Sequence, residues 1–431
     1  MLFFGAHIIA NYWLQIPEAE MTLVALSPAI FFVAIASVMR GYFNGRQNIK
    51  ATARSQTIEQ VFKTALTIIL VEIVAIISNV STEWMAGGAT LATTLATMSG
   101  FGYLYLYYKT RRKEIATEIK STVNYKYERV RSIIKKILLV SIPIALTAIM
   151  SSLNKNIDSF TVVRSLKQFM PEDMAIAQYG ILGGKVDTLT SLPLSINVAF
   201  STALVPAISA AKARKDKKTI TEKTSFSLLT SMLIGLPCTI GMCIFAGPIL
   251  NLLFPNASDG TVILQISSLT ILFTILDQTI NGALQGYGKL KIPTISLGVG
   301  VIVKLILNLI LVPIPEIGIN GAAWASVACH AVAFTIAITA LIKNIKLNLT
   351  FSKFVIKPAI ATAIMGICSY FIYSNLLGII SSKLATIVAI VLAVVIYVLT
   401  IIALKIFNKE EILKMPMGEK IYKVLEKLKI Y

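Results

Sequence analysis

The chain has 431 residues, 56% hydrophobic and only 14% charged, with a formal net charge of +19 and a mean hydropathy of +0.76. A soluble protein of this length lacks the polar surface to cover so much apolar area, so lipid must be its solvent. The basic excess lies in the links between apolar runs, which ties it to membrane orientation rather than to nucleic acid.

Residues 1–14 are apolar, with no basic region before them and no small-residue cleavage site after them. They read as the tail of a membrane helix and not as a signal peptide. Runs long enough to cross a bilayer as helices follow at 21–43, 51–78, 84–108, 136–163, 178–208, 224–253, 262–284, 292–312, 320–342, 354–375 and 384–406. Each needs about 20 apolar residues. The expectation is eleven full spans and one partial, an all-α polytopic membrane protein. Pro143, Gly183, Gly184, Pro193 and Pro237 fall inside these runs and predict kinks, which membrane helices tolerate when neighbours satisfy the freed backbone groups.

The links alternate in charge. One set carries Arg46, Lys50 and Arg54, the 109–136 segment, Lys212 to Lys223, Lys289 and Lys291, Lys343 to Lys357, and the tail from Lys405. The other carries Glu18, Glu20, Glu83, Glu172, Asp173, Asp259 and Glu316 and has few basic residues. The positive-inside rule makes the basic set cytoplasmic, with the C-terminus on that side. The expected organisation is an incomplete first lobe at 1–108, a basic cytoplasmic linker at 109–135, a second lobe at 136–342, two further helices within 354–406, and a basic tail at 407–431. The linker and the tail each have two readings, a surface helix on anionic headgroups or a solvated segment.

No catalytic or metal constellation is visible. Cys238, Cys243, Cys329 and Cys368 sit in apolar runs as small buried hydrophobes, and neither His7 nor His330 has a neighbour that suggests a ligand pair. The chain is therefore not expected to be an enzyme, and no cofactor is expected.

The strongest long-range signal is a repeat at an offset of 241 residues. Gly41, Gly45, Lys50 and Lys63 recur as Gly282, Gly286, Lys291 and Lys304, and Phe4, Ile8 and Ile9 as Phe245, Ile249 and Leu250. Two homologous halves in one membrane chain are the mark of secondary transporters, whose sites lie between the halves. An even number of spans separates Gly45 from Gly286, so the halves share one orientation and their symmetry axis runs along the membrane normal. The glycines read as structural, permitting close helix contact and a left-handed exit into a lysine-anchored loop.

The motif Arg40-Gly41-Tyr42-Phe43-Asn44-Gly45, continued by Ser55-Gln56-Thr57-Ile58-Glu59-Gln60, resembles the multidrug/oligosaccharidyl-lipid/polysaccharide exporter superfamily. So does Leu204-Val205-Pro206-Ala207-Ile208-Ser209. Within it, the chain is similar to the stage V sporulation protein B and polysaccharide biosynthesis branch, related to the lipid II flippases. That resemblance implies fourteen helices in two six-helix lobes plus two C-terminal helices. The expected place is the bacterial cytoplasmic membrane, and the expected state is a monomer. The implied activity moves undecaprenyl-pyrophosphate-linked cell-wall or polysaccharide precursors between leaflets by alternating access, in peptidoglycan synthesis or sporulation. The partners would be a lipid-linked oligosaccharide or lipid II-like substrate and membrane lipids, with no nucleic acid. On this pattern the first lobe should start roughly 100 residues before Met1, so the first two helices and most of the third are expected upstream.

Ten charges fall within or at the edges of the spans: Arg40, Glu59, Lys63, Glu72, Lys155, Asp158, Lys185, Asp187, Asp277 and Lys304. Each costs a few kcal/mol against lipid, so they are where a site is sought. Lys63 and Lys304, equivalent in the two halves, suit a pyrophosphate. Lys155 and Lys185 are further substrate candidates, and Lys185 is the best match to the eighth-helix arginine of the flippases. Glu59 has the favourable helical spacing to neutralise Lys63, and Arg40 is placed to snorkel. Asp158, Asp187, Asp277, Glu59 and Glu72 are the ion-coupling candidates, with membrane potential, protons or sodium all open as the energy source. Two other readings stand beside the flippase: a cation-coupled multidrug antiporter of the same superfamily, and a non-transporting scaffold of a wall-synthesis complex.

Overall fold

The computed structural model describes residues 2–13, 19–46, 48–77, 82–121, 129–255, 257–347, 350–408 and 411–412. Glu18, Gln47, residues 122–128 of the expected linker and most of the expected tail (409–410 and 413–431) lie outside them. The described chain is helical and contains no strand. All eleven apolar runs fall on helices. Nine helices among the described residues are long and apolar enough to cross a membrane. The two runs that fall short have visible causes. One carries Glu59, Lys63 and Glu72, and the other is diluted by Thr, Gly, Ser and Tyr.

The chain forms two compact units, residues 1–128 and 129–431. The first contains α1 (Leu2–Ile8), a π-helical turn (Ile9–Trp13), α2 (Ala19–Gly45), α3 (Ile49–Ile77) and α4 (Thr82–Ser121). Helix α4 packs against both α2 and α3. Its C-terminal turns run on past Lys109, so the first part of the expected linker continues the helix. The core at one end of this unit joins Ala36 and Phe43 of α2 with Ala51 of α3 and Leu104 of α4. Phe43 meets Tyr107 edge-on at 5.3 Å, and Asn48 donates to the Tyr107 hydroxyl at 3.0 Å.

The second unit contains α5 (Val130–Leu166), α6 (Glu172–Gly180), a π-helical segment (Ile181–Val186), α7 (Asp187–Ala213), α8 (Lys217–Ile244) and α9 (Ala246–Leu253). It continues with α10 (Thr261–Gly286), α11 (Lys291–Leu311), α12 (Ile319–Asn344), a π-helical turn (Ser352–Ile356), α13 (Lys357–Leu376) and α14 (Ser382–Ala403). Gly183 and Gly184 fall in the first π segment, while Pro143, Pro193 and Pro237 lie inside continuous helices.

Helix α10 is central, packed on α7, α8 and α12. A buried amide ties three of these together. Asn197 of α7 donates to Ile275 O at 2.9 Å and accepts from Ser231 of α8 at 2.9 Å. Helices α13 and α14 pack on each other, α13 on α8 and α14 on α9. Tyr397 donates to Leu233 O at 2.8 Å. Large apolar side chains such as Ile137, Ile302, Phe371 and Leu399 remain exposed on the outer faces, as lipid contact requires.

The repeat is visible in the helix ends and the packing. Helix α2 ends at Gly45 and α10 at Gly286, and α12 packs against both α10 and α11 as α4 does against α2 and α3. The glycines themselves differ. A Cβ on Gly282 would lie 2.6 Å from Ser201 O, and one on Gly286 2.7 Å from Val205 O, whereas one on Gly41 or Gly45 would meet nothing within 4 Å. The left-handed exit falls on Gly288, with φ +83.

Helix α8 begins at a side-chain cap. Asp216 accepts from the Thr219 backbone N–H at 3.0 Å and the Thr219 hydroxyl at 2.6 Å, which holds its carboxyl below the usual carboxylate range. A depressed folded-state value stabilises the native form above the ordinary carboxylate pKa, and the gain is lost as pH falls through the folded value. Asp216→Ala is therefore expected to melt below the parent at neutral pH, with the gap closing in acid. Thermal unfolding across a pH series checks this, and a gap that widens in acid would contradict it.

Candidate functional site

The second unit gathers a polar group where α5 meets α11. On α5, Asn154, Asp158 and Thr161 share one helical stripe. On α11, Lys304 and Asn308 are one turn apart. Lys304 Nζ donates to Asp158 Oδ2 at 2.6 Å and to Asn154 O at 2.9 Å. Asn308 Nδ2 donates to Asp158 Oδ1 at 2.9 Å and to Thr161 Oγ1 at 3.0 Å. Lys304 is 3% exposed and Asp158 7%. Charges this far from water survive only when paired and hydrogen-bonded, and both conditions are met. Asn154 extends the group to α12, accepting from Cys329 Sγ at 3.5 Å and meeting His330 Nε2 at 3.5 Å.

Around this buried pair lies a rim of exposed and half-buried groups. Asp187 at the start of α7 is within electrostatic range of Asp158, Lys304 and Lys155. Tyr179 of α6 pairs with Ser159 and lies within range of Asp158 and Asp187. Lys155 is exposed and makes no hydrogen bond or ion pair among the described residues. Four residues selected from sequence (Lys155, Asp158, Asp187 and Lys304) therefore come together. Lys185 does not join them. Its ammonium donates to Ala257 O and lies 5.5 Å over the Phe254 ring.

Asp277 lies on α10, 8% exposed, and accepts from Asn281 Nδ2 at 2.8 Å.

In the first unit the partners are not those that helical spacing favours. Glu59 pairs with Arg40 across α2 and α3, and Arg40 also donates to Ser55 at 3.2 Å. Arg40 therefore turns inward, because a carboxylate in low dielectric outcompetes the headgroup region. Gly100 of α4 makes room for it, since a Cβ there would lie 3.1 Å from Glu59 Oε2. Lys63 is left exposed without a partner among the described residues, as is Glu72. A basic cavity of ≈ 290 Å³ at the adjoining ends of α3 and α4 is lined by Lys50, Arg54 and Arg111 with Tyr103 and Tyr107. Arg111 stacks 5.0 Å from the Tyr107 ring.

Sequence reasoning passed over Asn154, Asn308, Asn281 and Tyr179. The three asparagines had a legible signal. Each is one helical turn, four residues, from an intramembrane charge: Asp158, Lys304 and Asp277 respectively. Tyr179 had none.

Comparison with known proteins agrees with this architecture. The profile of the lipid II flippase MurJ family matches residues 28–389. Stage V sporulation protein B of Bacillus subtilis (strain 168) is 25% identical over 427 residues, covering 97% of this chain and 79% of the relative. The lipid II flippase MurJ of the same organism is 24% identical over 315 residues, covering 71% of this chain and 57% of the relative. A solved structure of lipid II flippase MurJ in an inward closed conformation superposes with a TM-score of 0.63 at 17% identity, over 92% of this chain and 78% of that one. The match across most of the sequence, on a helical membrane fold built from an internal repeat, places this chain in the lipid II flippase MurJ family.

Proposed function

We propose that this protein is a flippase that moves undecaprenyl-pyrophosphate-linked cell-wall or polysaccharide precursors across the bacterial cytoplasmic membrane by alternating access. The family match over residues 28–389 carries the reading. The similarity to stage V sporulation protein B supports a role in spore or wall assembly. The basic helix ends, including the cavity lined by Lys50, Arg54 and Arg111, are assigned to the cytoplasmic side, where anionic headgroups attract them. The C-terminus is assigned to the same side.

The substrate's diphosphate needs cations that are not already neutralised. Lys304 is committed to Asp158 and Lys185 to a backbone carbonyl. Lys155 in the second unit and Lys63 in the first are exposed and unpaired among the described residues, on membrane helices where an ammonium facing lipid would be costly. Lys155, beside Asp187, is assigned the diphosphate contact.

The test is leaflet transfer of a fluorescent polyprenyl-diphosphate saccharide in proteoliposomes. Lys155→Glu is expected to lower the rate by about ten-fold or more, the loss of a charge-assisted contact, with the protein still folded. Transport of cationic dyes without any lipid transfer would overturn the flippase reading in favour of a multidrug antiporter.

A further inference from the structure

The five acidic candidates are not equivalent once their partners are known. Asp158 is held by Lys304 and Asn308, and Glu59 by Arg40. Glu72 and Asp187 are exposed. Asp277 alone of the five is buried with no cation. Its Oδ2 accepts from Asn281 Nδ2 at 2.8 Å, while its Oδ1 is shielded from solvent and has no partner. The Oδ1 of Asn281 is also buried without a partner. The two orphan atoms are thus the remaining oxygens of two planar groups already joined by one hydrogen bond.

An ionised carboxylate leaves this arrangement short of a donor. Both orphan oxygens are acceptors, and a buried acceptor without a donor is costly, the more so when it carries charge. One proton resolves both. Placed on Asp277 Oδ1, it donates to Asn281 Oδ1 and closes an acid–amide pair with two parallel hydrogen bonds. We propose that Asp277 and Asn281 form a buried proton-binding site in α10. Given the flippase reading on which this part rests, the proton it takes up and releases is the one coupled to transport. In the uptake step an O–H bond forms at Asp277 Oδ1 with a proton from water. Release returns that proton to water and leaves the carboxylate, with no other bond changed.

The groups around the site permit this. From α12, Cys329 is within electrostatic range of Asp277, and its neighbour His330 meets Asn154 of α5. Lys304 of α11 is taken by Asp158. On α7 and α8 the side chains that hydrogen-bond to Thr279, two residues on from Asp277, are the neutral Asn197 and Ser231. The charged residues of α7 and α8 make no ion pair with Asp277, Lys185 of the π segment donates to Ala257 O, and α9 has no titratable residue. The site is also held rigidly, because the next residue, Gly282, abuts the α7 backbone. It is not a feature of the repeat. At the offset of 241, the first unit carries Ala36 and Arg40 in place of Asp277 and Asn281.

Two readouts on the full-length protein test this. Infrared difference spectra between acidic and alkaline buffer should contain a protonated carboxyl C=O band that is missing from Asp277→Asn and shifted in Asn281→Ala, which keeps the acid but removes its amide partner. In proteoliposomes, an imposed pH gradient should accelerate lipid transfer by the parent and leave Asp277→Asn at its ungraded rate. Absence of a band assignable to Asp277 overturns the proton site. A band that responds to sodium and not to pH overturns it in favour of a cation site. Transfer by the parent that ignores a pH gradient overturns the coupling. A parent that shows the band but transfers no lipid fails the flippase reading, and the coupling with it, while upholding the proton site.

Discussion

Asp158→Ala and Lys304→Ala should each destabilise the second unit by about 3–5 kcal/mol, the cost of leaving one charge of a buried pair without its partner. The size follows from burial and from the density of contacts. The two side chains are only 10% and 4% exposed, and the pair is bonded on every side by Asn154 and Asn308. The double variant Lys304→Met with Asp158→Asn should recover most of the loss. It removes both charges together, and the new amide oxygen can still accept from Asn308. Denaturant titration in detergent micelles measures all three. Single variants within about 1 kcal/mol of the parent would show that the pair is solvated, since exposed pairs contribute no more than that.

Gly282→Ala should cost about 1–3 kcal/mol or more from overpacking, because the added methyl would lie 2.6 Å from the Ser201 carbonyl oxygen and only a shift of the α7 or α10 backbone can relieve it. Gly41→Ala, at the equivalent position of the first unit, should be neutral or stabilising by up to about 1 kcal/mol, the helix propensity that alanine gains over glycine. The Cβ there meets nothing within 4 Å. Equal losses at the two positions would mean that Gly41 has a close neighbour that these helices do not supply.

These two expectations show where sequence reasoning stops. The equivalence of Gly41 with Gly282, and of Lys63 with Lys304, was legible from a fixed offset. The roles were not, because each depends on a helix far away in sequence. Gly282 is tight because α7 crosses it, and Lys304 is neutralised because α5 brings Asp158 against it. Glu59 makes the same point. Its spacing to Lys63 is right for a helical pair worth a few tenths of a kcal/mol, but Arg40 on the neighbouring helix offers a half-buried guanidinium and takes it.

By itself the sequence determined the solvent, the helices and the doubled architecture. Apolar runs, their lengths and their charged links are local properties, and in lipid a backbone with no other way to satisfy its polar groups must be helical. It also carried part of the site in code, since Asn154, Asn308 and Asn281 each stand one turn from an intramembrane charge. What only the tertiary structure decided was which charges are spent and which are free. Lys304, Asp158 and Glu59 are spent on partners, Lys155 and Lys63 are exposed, and Asp277 is buried with one carboxyl oxygen that has no partner among the described residues. The physical reason is that a buried charge is governed by the few atoms within about 4 Å of it, and those atoms come from helices that only packing brings together.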